Sequence, residues 1–327
     1  MITVSAPGKL MILGEHAVVY GRPCLVTAVD QRLSVSAERS DDGKTHVDAP
    51  QVKETRFVDA AVSKFFQTKG KALDQTGVRL KIRSDFTHQV GFGSSSAVSV
   101  ATLRALAILF DTPVDDDEIF QLAYDVTLDI QRVGSGFDIA AATYGGTIAY
   151  QKGRPVSSFS HGVPLIVGYT GTKADTPTLI REVAAKRALY PEKVERIFDA
   201  ISDLVNQGKK SIASGDWELL GKAMNFTQEY LRDLGVSSEK LESMISGAKK
   251  AGAWGAKLSG AGGGDCMIAI APEDKREDVE NALVQAGGIV MDVTTHSRGV
   301  RVESRDFPVA PATYGVPRTI FLEQAPS

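Results

Sequence analysis

The feature that most constrains the fold of this 327-residue chain is a set of three short segments rich in glycine or polar residues. The first runs from Pro7-Gly8-Lys9 to the stretch 14–21, the second spans 91–97, and the third spans 257–265. The second opens directly into a helical pattern, and backbone N–H groups of a glycine-rich turn at a helix N-terminus form a ready site for phosphate. Because the segments are spread from the first residues to the last third of the chain, they predict one phosphate-handling cleft.

The overall composition is that of an ordinary globular protein, with 43% hydrophobic and 24% charged residues. The net charge is −3 and neither Lys nor Arg forms long runs, which argues against a nucleic-acid partner and against polybasic membrane attachment. Polar residues interrupt the apolar N-terminal stretch, so we expect no membrane partner and a cytoplasmic protein. Cys24 and Cys266 fit neither a disulfide framework nor a zinc pattern and are predicted to be small buried side chains.

Periodicity predicts an α+β chain with two lobes. Short strands are expected at 2–5 and 10–13 around a Pro-Gly turn, and a helix capped by its serines is expected over 94–110. The N-terminal half is mixed with much β-structure, whereas the C-terminal half begins helical and ends β-rich. A polar, turn-rich stretch near 151–162 places the predicted domains at 1–160 and 161–305, followed by a tail over 306–327.

The second segment matches neither common nucleotide-binding fingerprint. It lacks the Gly-Lys-Ser/Thr ending of a Walker loop. It also lacks the third glycine and the element order of a dinucleotide-binding fold. What remains is a glycine-rich turn whose serines can accept backbone hydrogen bonds, donate to phosphate oxygens or ligate Mg²⁺. A plain serine-capped helix is the alternative interpretation of these residues.

Taken in order, the three segments resemble the three motifs of the GHMP kinases, a family that includes galactokinases, homoserine kinases, mevalonate kinases and phosphomevalonate kinases. The resemblance spans residues 1–303. It implies an ATP-dependent kinase of a small hydroxylated metabolite, with Mg²⁺ and a possible homodimer. It also implies a two-lobed fold, with a mixed, ATP-binding N-terminal lobe and a ferredoxin-like C-terminal lobe.

Within this family, different segments resemble different branches. The stretch Gly14-Glu15-His16-Ala17-Val18-Val19-Tyr20-Gly21 is similar to the mevalonate kinases, which implies phosphorylation of mevalonate to 5-phosphomevalonate in isoprenoid precursor synthesis. Segments 134–142 and 263–266 are more similar to phosphomevalonate kinases. A phosphomevalonate kinase or another GHMP small-molecule or sugar kinase is therefore the alternative. A non-catalytic metabolite-binding regulator is a third hypothesis, against which the presence of both Lys9 and Asp138 argues.

The resemblance implies a role for each motif residue. Asp138 and Lys9 are the implied catalytic residues, although by themselves they would be interpreted as a helix cap and a turn lysine. The implied ATP-phosphate residues are Gly91, Gly93, Ser94, Ser95, Ser96 and Ala97, with Ser95 contacting the metal. The implied substrate-binding residues are Glu15, His16, Thr176, Gly260, Ala261 and Gly262. A satisfied, partly buried pair is the alternative interpretation of Glu15 and His16.

Two features depart from the mevalonate kinase pattern or lie outside it. The metal-binding glutamate usual in that branch falls on Thr127, and Asp125 and Asp129 are the nearby acids that could substitute. Three further cations, Arg132, Lys173 and Arg181, could meet a carboxylate or phosphate, although surface solvation is the expectation for each. Two or more of these cations facing Asp138 would favour a substrate that is already phosphorylated.

Overall fold

The structure, a computed structural model, describes residues 1–50, 55–70, 77–87 and 89–304. The strands are β1 (Ile2–Leu13), β2 (Cys24–Ser40), β3 (His46–Asp48), β4 (Gly77–Ser84), β5 (Thr147–Tyr150), β6 (Ser157–Phe159), β7 (Ile166–Tyr169), β8 (Gly255–Ser259), β9 (Cys266–Ile270), β10 (Ile289–Met291) and β11 (Arg301–Ser304). The helices are α1 (Arg56–Lys69), α2 (Ser94–Leu109), α3 (Asp116–Gln131), α4 (Phe137–Tyr144), α5 (Thr176–Leu189), α6 (Pro191–Ser214), α7 (Trp217–Leu234), α8 (Glu239–Lys250) and α9 (Arg276–Gln285). The predicted tail over 306–327 lies outside the described residues.

The first sheet has the order β11-β1-β2-β4-β3, and β5 joins it by pairing with both β2 and β6. The prediction of two strands around a Pro-Gly turn is wrong, because β1 is one strand from Ile2 to Leu13. Its register on β2 shifts between Pro7, which faces Arg32, and Gly8, which faces Val29. Such a bulge accommodates a proline, which has no N–H to donate to the ladder.

The second sheet has the order β10-β7-β9-β8, with antiparallel pairing throughout. Helices α5 to α8 connect β7 with β8, and α9 connects β9 with β10. Counted from β7, the strands therefore lie in the order 4-1-3-2 with crossover helices after the first and third, which is a ferredoxin-like arrangement. The α+β, two-lobed architecture is confirmed.

Apolar packing joins the two lobes. Helix α6 lies against β1 and β2 at Gly208, where an added Cβ would come within 2.6 Å of the Leu13 side chain and 2.8 Å of Leu25. Only a glycine permits this close approach. One hydrophobic cluster accordingly contains β1 and β2 residues together with Val205 and Ile268 of the second lobe.

The last described segment returns to the first sheet and is held there by Arg32. The guanidinium donates hydrogen bonds to Ser5 Oγ and O, to Ser297 Oγ, and to the carbonyl oxygens of Arg298 and Gly299, at 2.6–3.2 Å. Burial lowers its pKa to about 10. This network fixes the return segment against β1, the strand that carries Lys9. Among the described residues, no helix is both long enough and apolar enough to cross a membrane.

Candidate active site

The phosphate-loop segment forms a turn that leaves the first turn of α2 uncapped. Gly91 and Gly93 have φ values of 77° and 79°, in the left-handed region that glycine adopts without strain. The expectation that serines cap this helix is wrong, because Gly93 is the N-cap residue and no side chain caps α2. The N–H of Ser96 donates to Gly93 O at 3.1 Å, whereas the N–H groups of Ser94 and Ser95 precede this first helical bond and are available to an anion. The dipole of the 16-residue helix favours negative charge there.

Lys9 and Asp138 lie together beside this loop. Lys9 Nζ is 3.1 Å from Asp138 Oδ1 and donates to the carbonyl oxygen of Gly91 at 3.1 Å. The backbone N–H of Lys9 donates to Phe92 O at 3.0 Å, so strand β1 and the loop are fixed relative to each other. The Lys9 side chain is 9% exposed and that of Asp138 is 32% exposed. The lysine is thus largely buried, while the carboxylate can meet a substrate.

Two tyrosines position the turn that presents Asp138. Tyr124 donates to Gly134 O and Tyr150 donates to Ser135 O, both at 2.8 Å. Gly136, with φ 89°, is the N-cap residue of α4 and has no room for a side chain, because an added Cβ would lie 2.5 Å from the Tyr150 hydroxyl. Asp138 lies in the first turn of α4 and is not its N-cap. The capping role considered for Asp138 is therefore wrong.

Glu15 and His16 lie in the turn that follows β1, and both are buried. His16 Nε2 is 2.9 Å from the carbonyl oxygen of Ala261, which can only accept, so Nε2 carries the proton. Burial lowers the pKa of His16, and its neutral ring therefore offers Nδ1 as an acceptor. Glu15 Oε1 accepts a hydrogen bond from Lys257, and both side chains are fully buried. Burial raises the pKa of Glu15, while the charge of Lys257 opposes that shift.

The third glycine segment approaches the site from the second lobe. Gly260, with φ 104°, borders open space, since an added Cβ would meet nothing within 4 Å. Gly262 instead packs against the backbone of the loop that follows α7, where an added Cβ would lie 2.1 Å from Val236 O. Two glycines of one segment thus lack a side chain for different physical reasons.

Asp265 ends this segment and contacts the phosphate loop. Its carboxylate accepts a hydrogen bond from Ala174 N at 3.0 Å and lies 3.4 Å from Lys173 Nζ. An added Cβ on Gly91 would lie 2.6 Å from Asp265 Oδ2. The adjacent Cys266 thiol donates to Val90 O at 3.1 Å. Two neighbouring residues therefore join the second lobe to the start of the phosphate loop.

These elements enclose a cavity of about 740 Å³, within the usual range for a small-molecule site. Most of the predicted site residues line it: Lys9, Glu15, His16, Gly91, Gly93, Ser94, Ser95, Ser96, Asp138, Thr176, Gly260 and Ala261. Ala97 and Gly262 do not. Ala97 is fully buried in α2, and its N–H bonds to Gly93 O at 3.1 Å. Both residues serve packing behind the cavity wall.

Sequence reasoning missed several lining residues. Lys173 and Arg181, expected to be solvated, line the cavity, whereas Arg132 does not. Arg181 donates to Thr178 Oγ1 at 2.7 Å. An apolar wall was also missed, formed by residues on and after α3 and on α5: Ile130, Val133, Ile180 and Ala184. The spacing of Thr176, Ile180 and Ala184 by four residues places them on one face of α5 and was the available signal.

The acids considered as metal ligands lie outside the cavity. Asp129 pairs with Lys64 at 2.7 Å, and Asp125 accepts a hydrogen bond from Gln121 at 2.8 Å. Thr127 does line the cavity, with its hydroxyl donating to Ala123 O at 3.1 Å. In the described part of the chain, no group of three or more His, Cys, Asp or Glu residues is arranged to hold a metal ion.

Fold and site together define a two-lobed small-molecule kinase, with an uncapped helix N-terminus and a lysine–aspartate pair in one cavity. The family profile described as GHMP kinases N terminal domain matches residues 56–146, and the profile described as GHMP kinases C terminal matches residues 209–289. The chain belongs to the GHMP kinase family and is an ATP-dependent small-molecule kinase.

The relatives in this family carry a more specific name. The mevalonate kinase of Pyrococcus abyssi is 35% identical, in an alignment that covers 93% of this chain and 98% of that protein. The mevalonate kinase of Pyrococcus horikoshii is 36% identical, with 92% and 98% covered. Among solved structures, L. major mevalonate kinase in complex with R-mevalonate has a TM-score of 0.77 at 26% identity, covering 90% of this chain and 95% of that chain.

Proposed function

We propose that this protein transfers the γ-phosphoryl group of ATP to the 5-hydroxyl of mevalonate, releasing 5-phosphomevalonate and ADP as a step in isoprenoid precursor synthesis. The observation that carries the proposal is the 35% identity to a protein named mevalonate kinase over 93% of this chain. The lysine–aspartate pair beside an uncapped helix N-terminus supports the chemistry.

In the proposed reaction the acceptor hydroxyl attacks the γ-phosphorus in line. As the new O–P bond forms, the bond from the γ-phosphorus to the bridging oxygen of ADP breaks, and Asp138 receives the hydroxyl proton. Lys9 stabilises the charge that builds on the transferred group. Its hydrogen bond to Gly91 O and its contact with Asp138 hold the ammonium at this position before the substrates bind. Catalysis then rests mainly on positioning and electrostatics.

The first turn of α2, with Ser94, Ser95 and Ser96, is proposed to bind the nucleotide phosphates. The three serines line the cavity, and the helix supplies unpaired N–H groups and the positive end of its dipole. Mg²⁺ on the phosphates would neutralise their charge, with the Ser95 hydroxyl as the proposed protein ligand. Gly91 and Gly93 allow the backbone to approach the phosphates closely.

The acceptor is proposed to bind between the turn after β1 and the third glycine segment. Glu15, His16, Gly260 and Ala261 line this side of the cavity, and Thr176 lies at the start of α5. Hydrogen-bond acceptors on His16 and Glu15 suit a polyhydroxy acid. The homodimer and the cytoplasmic location stay predictions.

The test is a coupled ADP-release assay with ATP and Mg²⁺, with mevalonate and 5-phosphomevalonate offered in parallel. We expect turnover of mevalonate, and we expect Asp138→Asn to lower kcat by about 10²- to 10⁴-fold with an unchanged thermal midpoint. Asp129→Asn is the matched control, since Asp129 is a nearby acid outside the cavity, and it should behave as wild type. Near-normal turnover by Asp138→Asn would refute the assigned role.

Phosphomevalonate kinase is the second candidate, because Lys173 and Arg181 both line the cavity that contains Asp138. An acceptor that already carries a phosphate requires additional cations, and these two could supply them. Both have partners within the protein, since Lys173 pairs with Asp265 and Arg181 with Thr178. Turnover of 5-phosphomevalonate without mevalonate in the same assay would favour this candidate.

A further inference from the structure

The third glycine segment contacts the first lobe through alternate residues, a row we call the 257–261 seam. Lys257 pairs with Glu15, Ser259 Oγ bonds to both N and O of Met11 at 3.0 and 2.9 Å, and Ala261 O accepts from His16. Side chains alternate along a strand, so residues 257, 259 and 261 lie on one face of β8 and its continuation, and this face contacts β1 and the turn after it. The acceptor side of the cavity is thus built from both lobes across this seam.

The Lys257–Glu15 pair is the costly member of the seam. Both side chains have 0% exposure, and removing two charges from water is costly before their attraction is counted, so apolar residues of similar volume often stabilise a fold equally well. Lys257 Nζ also donates to Leu258 O at 2.5 Å, which fixes the ammonium on its own strand. A rigid donor aimed at one carboxylate oxygen determines the orientation of the whole carboxylate.

That orientation leaves the second oxygen of Glu15 without a partner. Oε2 is buried and has no hydrogen-bond partner of ordinary geometry in the described part of the chain, and Glu15 lines the cavity together with His16. A buried carboxylate oxygen without a donor costs free energy, which a hydroxyl group of a bound ligand can recover. Burial raises the pKa of Glu15, and the charge of Lys257 opposes this shift, which favours the ionised form that only accepts.

We propose that Lys257 is a positioning residue for the acceptor: it holds Glu15 so that Oε2 accepts a hydrogen bond from a hydroxyl that does not react. The inference rests on the proposed function, in which the 5-hydroxyl of mevalonate is phosphorylated and the 3-hydroxyl is the group left to be recognised. Lys257 itself touches neither substrate. Its effect is on discrimination between acceptors with and without that hydroxyl.

The test compares kcat/KM for mevalonate with that for 5-hydroxy-3-methylpentanoate, which lacks the 3-hydroxyl. A hydrogen bond to a charged group predicts a wild-type preference for mevalonate of about ten- to hundredfold. Lys257→Met should reduce this ratio to a few-fold. General loss of folded enzyme lowers both rates equally, so the ratio separates positioning from a purely structural role. Ser259→Ala removes a different seam contact and should keep the wild-type ratio.

Lys257→Met leaves a buried carboxylate uncompensated, so the variant Glu15→Gln/Lys257→Met provides a folded neutral pair. We expect it to regain the wild-type thermal midpoint without regaining the ratio. The proposal is overturned if folded Lys257→Met or the double variant retains the wild-type ratio. It is also overturned if the wild-type enzyme turns over both acceptors equally, an outcome that leaves the proposed function intact. Absence of any wild-type turnover of mevalonate refutes the proposed function itself.

Discussion

The methyl group added by Gly93→Ala would lie against the proposed catalytic pair. Gly93 has φ 79°, and its added Cβ would be 3.2 Å from Lys9 Cε and 3.5 Å from Asp138 Oδ1. Favourable carbon–carbon contacts begin near 3.5–4.0 Å, so the lysine side chain must shift by about half an ångström. Since a misplacement of about 1 Å can cost about a hundredfold in rate, we expect kcat to fall by about tenfold.

Backbone strain has to be separated from this displacement, and Gly21 provides the control. Gly21 also has φ 79°, and an added Cβ there would meet nothing within 4 Å. Each alanine in the left-handed region should lower the free energy of unfolding by about 1–2 kcal/mol. The two variants should therefore have similar stability, and only Gly93→Ala should lose kcat.

The assay is ADP release over a range of ATP concentrations at saturating mevalonate, which gives kcat and the KM for ATP, with unfolding by urea measured on the same preparations. Equal kcat for Gly93→Ala and Gly21→Ala would refute the reasoning, because it would mean that the contact with Lys9 does not position the reacting groups. A fall confined to the affinity for ATP would refute it as well, since it would place the added methyl against the nucleotide and away from the catalytic pair.

Three further predictions follow from burial. Arg32→Leu removes the donor of five hydrogen bonds and should lower the free energy of unfolding by about 3–5 kcal/mol in chemical denaturation. A loss below about 1 kcal/mol would contradict the role of Arg32 in fixing the return segment. Burial lowers the pKa of His16, so the unfolded chain binds its proton first and stability should fall as pH drops below about 6.5. The free energy of unfolding, measured at pH 7.5 and at pH 5, should fall less for His16→Gln than for the wild type. An equal fall in both proteins would exclude His16 as a cause of the pH dependence. Burial raises the pKa of Cys24 and of Cys266, so a thiol reagent at pH 8 should label neither in the native protein and both after denaturation.

Local sequence was sufficient to predict most of the polar and glycine residues that line the cavity, because the relevant signals are local. A glycine-rich turn entering a helix predicts free N–H groups, and Gly91 and Gly93 adopt the left-handed backbone that such a turn requires. The same reasoning could not separate lining from packing positions. Ala97 and Gly262 belong to the motifs, but their small size accommodates a helix interior and the carbonyl oxygen of Val236.

Other features depend on distant parts of the chain and could not be predicted. Lys173 and Arg181 resemble solvated cations in sequence, and only the placement of α5 and of the loop before it brings them to the cavity. Lys257 pairs with a residue 242 positions earlier, and an isolated lysine in a strand gives no sign of that burial. The continuity of β1 through Pro7 depends on extra residues in the partner strand β2, which a pattern within β1 alone cannot reveal.

The return of β11 to the first sheet has a consequence for biosynthesis. Strand β1 lies between β2 and β11, and Ser5 bonds to Glu303 across 298 positions of sequence. A chain emerging from the ribosome therefore exposes one unpaired edge of its first strand until residues 301–304 have been made. Contacts of such long sequence separation slow folding. A chain truncated before residue 297 would lack β11, and the edge of β1 at Thr3, Val4 and Ser5 would stay open.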